Sequence, residues 1–287
     1  MNTIRKSLLT AEKKAVAVNK EASAIKLLMQ DATKMQGYDL VANLDKQLTS
    51  TQSLAFEENV VKYLDQNLPV QYLIGYETFF GYEFKVNDAV LIPRFETEEL
   101  VAKVLDLYDE YFGEQIVDVV DIGTGSGAIG ITLALEAGAM KVTATDISEE
   151  ALQVARANAQ QLGVAVTFLQ SDMLNELLKR GKKFDILVSN PPYIPQAEKI
   201  EALVYDNEPH LALFGGDDGL HFYRQILRDA NQILKQPNIM AFEHANHHRQ
   251  GLTSLARKFF PEAVVKTFKD LQGRDRITVI INSFKQK

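Results

Sequence analysis

A run of ten residues in the second half of the chain, Phe184-Asp185-Ile186-Leu187-Val188-Ser189-Asn190-Pro191-Pro192-Tyr193, sharply limits what it can fold into. The run opens with apolar and β-branched residues, the pattern of a buried strand. It closes on Asn-Pro-Pro-Tyr, which cannot extend that strand, because Pro191 and Pro192 lack an N–H and hold φ at about −65°. Proline also drives the residue before it into an extended conformation, so Asn190 and Pro191 are both restricted. The expected product is a stiff loop at the carboxyl end of a strand, where open α/β sheets place their ligands. There the amide oxygen of Asn190 and the carbonyl of Pro191 are acceptors at fixed positions. Together they can grip an –NH₂ group whose lone pair is conjugated, in an amide or an exocyclic base amine, and turn it toward an electrophile. Tyr193 is expected to pack on the flat face of that group. The plain alternative is a Pro-terminated strand followed by an ordinary surface turn.

Three earlier segments argue against the plain alternative. From Ile116 onward strands and helices alternate, the signature of a parallel, doubly wound sheet. Val117 to Ile122 reads as a strand running into Asp121-Ile122-Gly123-Thr124-Gly125-Ser126-Gly127, whose glycines permit a tight turn and close approach of a ligand. The helix expected from Ala128 to about Ala137 offers its free N–H groups. Lys141 to Thr145 reads as a second strand ending at Asp146, a carboxylate able to take both hydroxyls of a ribose. Ser148 is the expected cap of the helix that follows. A third strand, Val166 to Gln170, ends in Ser171-Asp172-Met173. Four successive strands thus end in polar residues fit for a ligand.

Gly125-Ser126-Gly127-Ala128-Ile129-Gly130 also matches the dinucleotide pattern G-x-G-x-x-G, which makes a dehydrogenase a competitor. Asp121, on the strand before the first glycine, opposes it. A carboxylate there suits a ligand carrying ammonium and sulfonium groups and repels a pyrophosphate. A hydride-transfer site would also leave Asn190 to Tyr193 without a role. No Gly-Lys-Ser/Thr follows, which excludes a P-loop.

The flanking regions are simpler. Residues 1 to about 68 look helical, with apolar stripes at Ile25, Leu28, Met29 and Ala32, at Leu40, Val41, Leu44 and Leu48, and at Phe56, Val60, Val61 and Leu64. Pro69 to Gly75 ends this bundle. Thr78 to Val86 alternates like strands, with Asn87-Asp88 as a turn before Val90-Leu91-Ile92, a β-hairpin between two domains. Thr97 is the expected N-cap of a helix to about Tyr111, with Arg94 and Glu96 just ahead of it. Ile194 to Gly216 reads as irregular, a lid or substrate wall. Asp217-Asp218-Gly219 precedes a helix to about Leu234, Asn238 to Glu243 is a fifth strand, and a helix spans about Asn246 to Phe259. Ala263 to Phe268 and Arg276 to Ile281 should form an antiparallel pair. His244, His247 and His248 are the only histidine cluster. It is read as solvated side chains at a helix start, with a metal site as the alternative.

The 287 residues suffice for a large domain plus a small one. A formal charge of −7 argues against a protein that mainly grips phosphate backbones. Cysteine is absent, which removes disulfides and thiolate chemistry. No apolar run reaches membrane-spanning length, and the first 29 residues are too polar for a signal sequence, so a cytoplasmic protein is expected.

These residues resemble the class I S-adenosylmethionine-dependent methyltransferases and, more narrowly, the release factor glutamine methyltransferases of the HemK/PrmC family. The likeness runs nearly end to end. It includes Pro69 to Gly75, Leu91-Ile92-Pro93-Arg94, Glu96-Thr97-Glu98, Asp121 to Gly127, Val188 to Ile194, Glu208-Pro209, Gly215-Gly216, Asp218-Gly219-Leu220, Lys269-Asp270-Leu271 and Asp275-Arg276. It implies an α/β fold with a Rossmann-like seven-stranded sheet, a helical substrate-recognition domain over 1–74, a hairpin linker over 75–92 and the methyltransferase domain over 93–287. It further implies that Asp121, Gly123, Thr124, Gly125, Ser126 and Gly127 hold the methionyl part of S-adenosylmethionine and Asp146 the ribose. Asp172 and Met173 would flank the adenine, with Ile147 and Asn190 also at the cofactor. Asn190, Pro191, Pro192, Tyr193 and Arg94 would take the substrate, the glutamine of the Gly-Gly-Gln motif in a peptide-chain release factor, which is methylated on its side-chain nitrogen. A monomer without metal, membrane or direct nucleic-acid contact is the expected form. The tetrapeptide alone is shared with adenine-N6 methyltransferases, so a nucleic-acid amine remains the alternative acceptor, and a non-catalytic cofactor-binding module the third reading. Phe95 stands where the family usually has Pro, and Ala245 where Gly is common.

Overall fold

In the computed structural model, residues 2–35 and 37–284 are described. The chain divides into two compact units, one of Met1–Tyr76 with Glu201–Asn207, the other of Glu77–Ile200 with Glu208–Lys287.

The first unit contains α1 (Ile4–Ala17), α2 (Ala22–Thr33), α3 (Gly37–Ala42), α4 (Ser50–Asp65) and α5 (Val70–Ile74). Thr49 starts α4 with a capping box, accepting from the Gln52 N–H while the Gln52 side chain accepts from the Thr49 N–H. Ile25, Leu28 and Met29 are fully buried, as their spacing predicts. Two of the expected stripes need correction. Helix α3 stops at Ala42, and the backbone of 44–48 instead bonds to residues 2–5, so Val41 points outward. On α4 the buried face is Phe56, Val60 and Tyr63, separated by four and three residues, and Val61 lies off it.

The second unit opens with the hairpin β1 (Tyr76–Phe79, whose first residue is counted with the first unit) and β2 (Tyr82–Lys85). Its turn is Phe80-Gly81, both at positive φ as a two-residue hairpin requires, rather than Asn87-Asp88, and Val90–Ile92 forms no strand. Then come α6 (Phe95–Tyr111), β3 (Val117–Ile122), α7 (Ala128–Glu136), β4 (Met140–Asp146), α8 (Glu149–Leu162), β5 (Thr167–Gln170), α9 (Asn175–Arg180) and β6 (Phe184–Ser189). The segment expected to be irregular holds α10 (Ala202–Asn207, counted with the first unit) and a 3₁₀ turn at His210–Ala212. The chain finishes with α11 (His221–Asp229), β7 (Leu234–Glu243), α12 (Arg249–Phe259), β8 (Val264–Lys269) and β9 (Asp275–Asn282). Helix α11 ends sooner than expected, and Leu234 already belongs to a strand. Among the described residues, no helix is long and apolar enough to cross a membrane.

The seven strands lie in the order β5-β4-β3-β6-β7-β9-β8, parallel except for β9, which runs antiparallel to both its neighbours. Alternate residues of the central strands feed two cores. Val119, Ile186 and Val188 meet α6 and α7 on one face, and Val120, Leu187 and Phe242 meet α11 and α12 on the other. Strand order reverses between β3 and β6, and the carboxyl ends of those two strands therefore flank the crevice where such sheets bind ligands.

Candidate functional site

A cavity of about 370 Å³ opens at that crevice, wholly within the second unit. Its wall includes Gly123 and Gly125 after β3, Asp146, Ile147 and Ser148 after β4, Asp172 and Met173 after β5, and Asn190 and Pro192 after β6. Val90, Leu91, Leu211 and Phe222 supply much of the apolar remainder. Seven of the expected cofactor residues, Gly123, Gly125, Asp146, Ile147, Asp172, Met173 and Asn190, thus meet at one surface.

Asp146 is where two loops join. Its Oδ2 accepts from the Gly125 N–H at 2.9 Å and its Oδ1 from the Ser148 N–H at 3.0 Å. Burial raises its pKa, and the backbone donors oppose that rise. Each oxygen keeps a further lone pair for a hydroxyl. Ser148 also caps α8, accepting from the Ala151 N–H at 3.1 Å, as expected. Met173 sits at φ 45°, held there by Ser171, whose hydroxyl donates to the Met173 carbonyl and accepts from Glu176.

Asp121, Thr124, Ser126 and Gly127 stand behind this surface. The Asp121 carboxyl is fully buried, and its Oδ2 accepts from the Thr124 hydroxyl at 2.6 Å and the Gly130 N–H at 3.0 Å. Its Oδ1 makes no hydrogen bond. Burial is the main cause that lifts this carboxyl to about 7. The Ser126 carbonyl accepts from Asn158, which also bonds both backbone groups of Lys85 and so ties the hairpin to the glycine loop. At Gly127 φ is 86°, which strains any residue with a side chain, and a Cβ would also push on Ile131 Cδ1 at 2.5 Å and Ala155 Cβ at 3.2 Å.

In the tetrapeptide, Pro191 is buried and Pro192 lines the cavity. Tyr193 does not line it. Its ring packs against the second core and edge-on to His248, and its hydroxyl donates to Glu243 Oε1 at 3.4 Å. Burial pushes the phenol pKa upward. Arg94 is also drawn aside, its guanidinium paired with Glu208, whose other oxygen accepts from the Ile92 N–H. The loop carrying Gly215 and Gly219 presses on the tetrapeptide from outside. A Cβ on Gly219 would lie 2.3 Å from the Tyr193 carbonyl oxygen.

Two residues given other roles, or none, by the sequence belong here. Thr97 does not cap α6, because Arg94 is the extended residue that begins the helix. Thr97 is buried one turn in, donates to Glu243 Oε2 at 2.6 Å and receives Asn190 Nδ2 at 3.2 Å. Glu243 closes β7, fully buried, and burial raises its pKa against the Thr97 hydrogen bond and the charge of Arg276. The shared Glu-Thr-Glu segment was the one signal that could have marked Thr97. The histidine cluster is corrected too. Only His247 is exposed; His244 is buried between the Ala245 carbonyl and the Thr278 hydroxyl, and His248 is buried beside Tyr193. Burial depresses both pKa values, that of His248 to about 4. Among the described residues, no group of three His, Cys, Asp or Glu side chains could hold a metal ion.

Residues 98–213 match the methyltransferase small domain, and residues 9–75 match the PrmC N-terminal domain. The chain is 43% identical over 279 residues to the release factor glutamine methyltransferase of Bacillus subtilis, covering 96% of each protein. It is 40% identical over 260 residues to the protein of the same name from Bacillus cereus, covering 90% of this chain and 92% of that one. A methyltransferase of Pyrococcus furiosus shares the fold at a TM-score of 0.52 and 20% identity, over 71% of this chain and 91% of that one. On the strength of these relatives, this chain belongs to the release factor glutamine methyltransferase family.

Proposed function

We propose that this protein transfers a methyl group from S-adenosylmethionine to the side-chain amide nitrogen of the glutamine in the Gly-Gly-Gln motif of peptide-chain release factors. The observation that carries the reading is the position of Asn190, on the wall of the same cavity as Gly123, Asp146 and Met173. The cofactor fits what the residues offer. Asp146 presents two acceptors for ribose hydroxyls, and Ile147 and Met173 give apolar walls for a flat base beside Asp172. The buried Oδ1 of Asp121 without a partner suits a cationic neighbour, with Thr124, Ser126 and Gly127 shaping the loop in front of it.

When bound, S-adenosylmethionine supplies a methyl group on a sulfonium, an electrophile that needs no metal. An amide nitrogen is a poor nucleophile because its lone pair is delocalised. Asn190 Oδ1 and the Pro191 carbonyl accept both N–H bonds of the –NH₂ and aim the lone pair, and proximity and alignment supply most of the rate. The methylated nitrogen is cationic and strongly acidic, so its proton leaves after transfer without a strong base. Tyr193 acts from behind, bracing the loop, and Arg94 holds the preceding segment through Glu208.

Incubation of the protein with methyl-labelled cofactor and, separately, a release factor or DNA tests the reading. Label is expected in the release factor alone. Label in DNA alone would overturn the acceptor, and calorimetric binding of NAD without S-adenosylhomocysteine would overturn the cofactor.

A further inference from the structure

We propose that Thr97 and Glu243 are positioning residues that set which end of the Asn190 amide faces the cavity. The inference rests on the functional reading above, because it concerns how Asn190 comes to present an acceptor.

The polarity follows from counting hydrogens. An ionised Glu243 can only accept, and its Oε2 lies 2.6 Å from Thr97 Oγ1, so the one hydroxyl hydrogen of Thr97 is committed to it. Thr97 can then only accept from Asn190, and at 3.2 Å the atom facing it has to be the Nδ2 donor. A flipped amide would set Oδ1 against an oxygen with no hydrogen left to give. With Nδ2 held by Thr97, Oδ1 is left as the acceptor for the substrate –NH₂. The same carboxylate takes the Tyr193 hydroxyl on its other oxygen, and it therefore fixes both ends of the tetrapeptide.

Glu243 is itself firmly placed. Its backbone carbonyl accepts from the buried Tyr223 hydroxyl at 2.6 Å. The groups facing its carboxylate are Glu96 and Thr97 from α6, Tyr193 from the loop after β6, and Arg276 from β9. Burial raises the Glu243 pKa, and the Thr97 hydrogen bond and the Arg276 cation, itself held by the buried Asp270, oppose that rise, while Glu96 is paired with Arg274. Once protonated, Glu243 could donate to Thr97, Thr97 could donate to Asn190 Oδ1, and the relay would run backwards. Only the ionised form specifies the productive amide.

The test compares Thr97→Val, which keeps shape but ends the relay, with Thr97→Ser, which keeps the hydroxyl. Thr97→Val should lower kcat about tenfold or more while KM for the release factor and binding of S-adenosylhomocysteine change less than about twofold. Thr97→Ser should recover most of that loss. A Thr97→Val enzyme with wild-type kcat overturns the proposal, as does a Thr97→Ser enzyme as slow as Thr97→Val. If Thr97→Val does not fold, Glu243→Gln takes its place, since a glutamine can turn either end to Thr97; a wild-type kcat there overturns the proposal equally. One readout needs no activity. The Asn190 side-chain N–H signals, identified in NMR spectra by their loss in Asn190→Ala, should be protected from solvent exchange in the wild type and unprotected in Thr97→Val. Unprotected wild-type signals sink the relay. A wild-type protein that shows this protection and methylates no release factor sinks the functional reading and leaves the relay standing.

Discussion

The Gly125 N–H donates to Asp146 Oδ2 at 2.9 Å, joining the loop after β3 to the end of β4 at the wall of the cavity. One carboxylate therefore shapes the glycine loop and remains available to a ligand. Asp146→Ala should lose both functions and weaken S-adenosylhomocysteine binding by roughly 1–3 kcal/mol, measured by calorimetry. An unchanged dissociation constant would remove Asp146 from the cofactor site.

Asn190→Ala tests the acceptor. The side chain is only partly buried, so the fold should persist by circular dichroism and thermal unfolding. The rate of methyl transfer to a release factor should fall about 10²-fold or more, the scale for losing one preorganised polar contact. Wild-type turnover by the folded variant would mean that the amide is not aimed by this residue.

Asp121 makes stability depend on pH. Its carboxyl is raised from 3.8 to about 7 by burial, so across that window the folded state holds a proton that the unfolded state has released. Stability from the neutral acid is therefore full only below about pH 4 and is lost as pH rises from there through about 7. Asp121→Asn keeps an acceptor for Thr124 and Gly130 but cannot ionise. The variant should gain stability over the wild type at pH 8, by at most a few kcal/mol, and lose that advantage at pH 4. Calorimetric unfolding at the two pH values checks this, and parallel curves for the two proteins would contradict it. The same variant should bind S-adenosylhomocysteine, which carries the ammonium, more weakly.

Gly219 is confined by its neighbours. With φ at 71° and the would-be Cβ 2.3 Å from the Tyr193 carbonyl and 2.5 Å from His248 Cε1, Gly219→Ala should cost about 2 kcal/mol and slow catalysis by shifting the tetrapeptide. Gly138→Ala, where a Cβ meets nothing within 4 Å, should leave the melting temperature near wild type. Equal melting temperatures for the two variants would show that the contact at Gly219 is not tight.

Much of the site was legible before any tertiary structure. The strands ending at Ile122, Asp146, Gln170 and Ser189, the glycine turn, the Ser148 cap and the stiff Asn190 loop all follow from local rules. Period-two burial, positive φ, missing N–H groups and capping oxygens act within a few residues, so the linear sequence carries them. The tertiary structure alone decided which polar groups meet. Thr97 and Glu243 bond across 146 positions, and Arg94 and Glu208 across 114. A threonine in a first helical turn reads as a cap, and histidines beside a helix start read as solvated, until packing places a buried carboxylate or a covering loop against them. Burial and partner depend on every element packed around a side chain, and no short window of sequence contains that information.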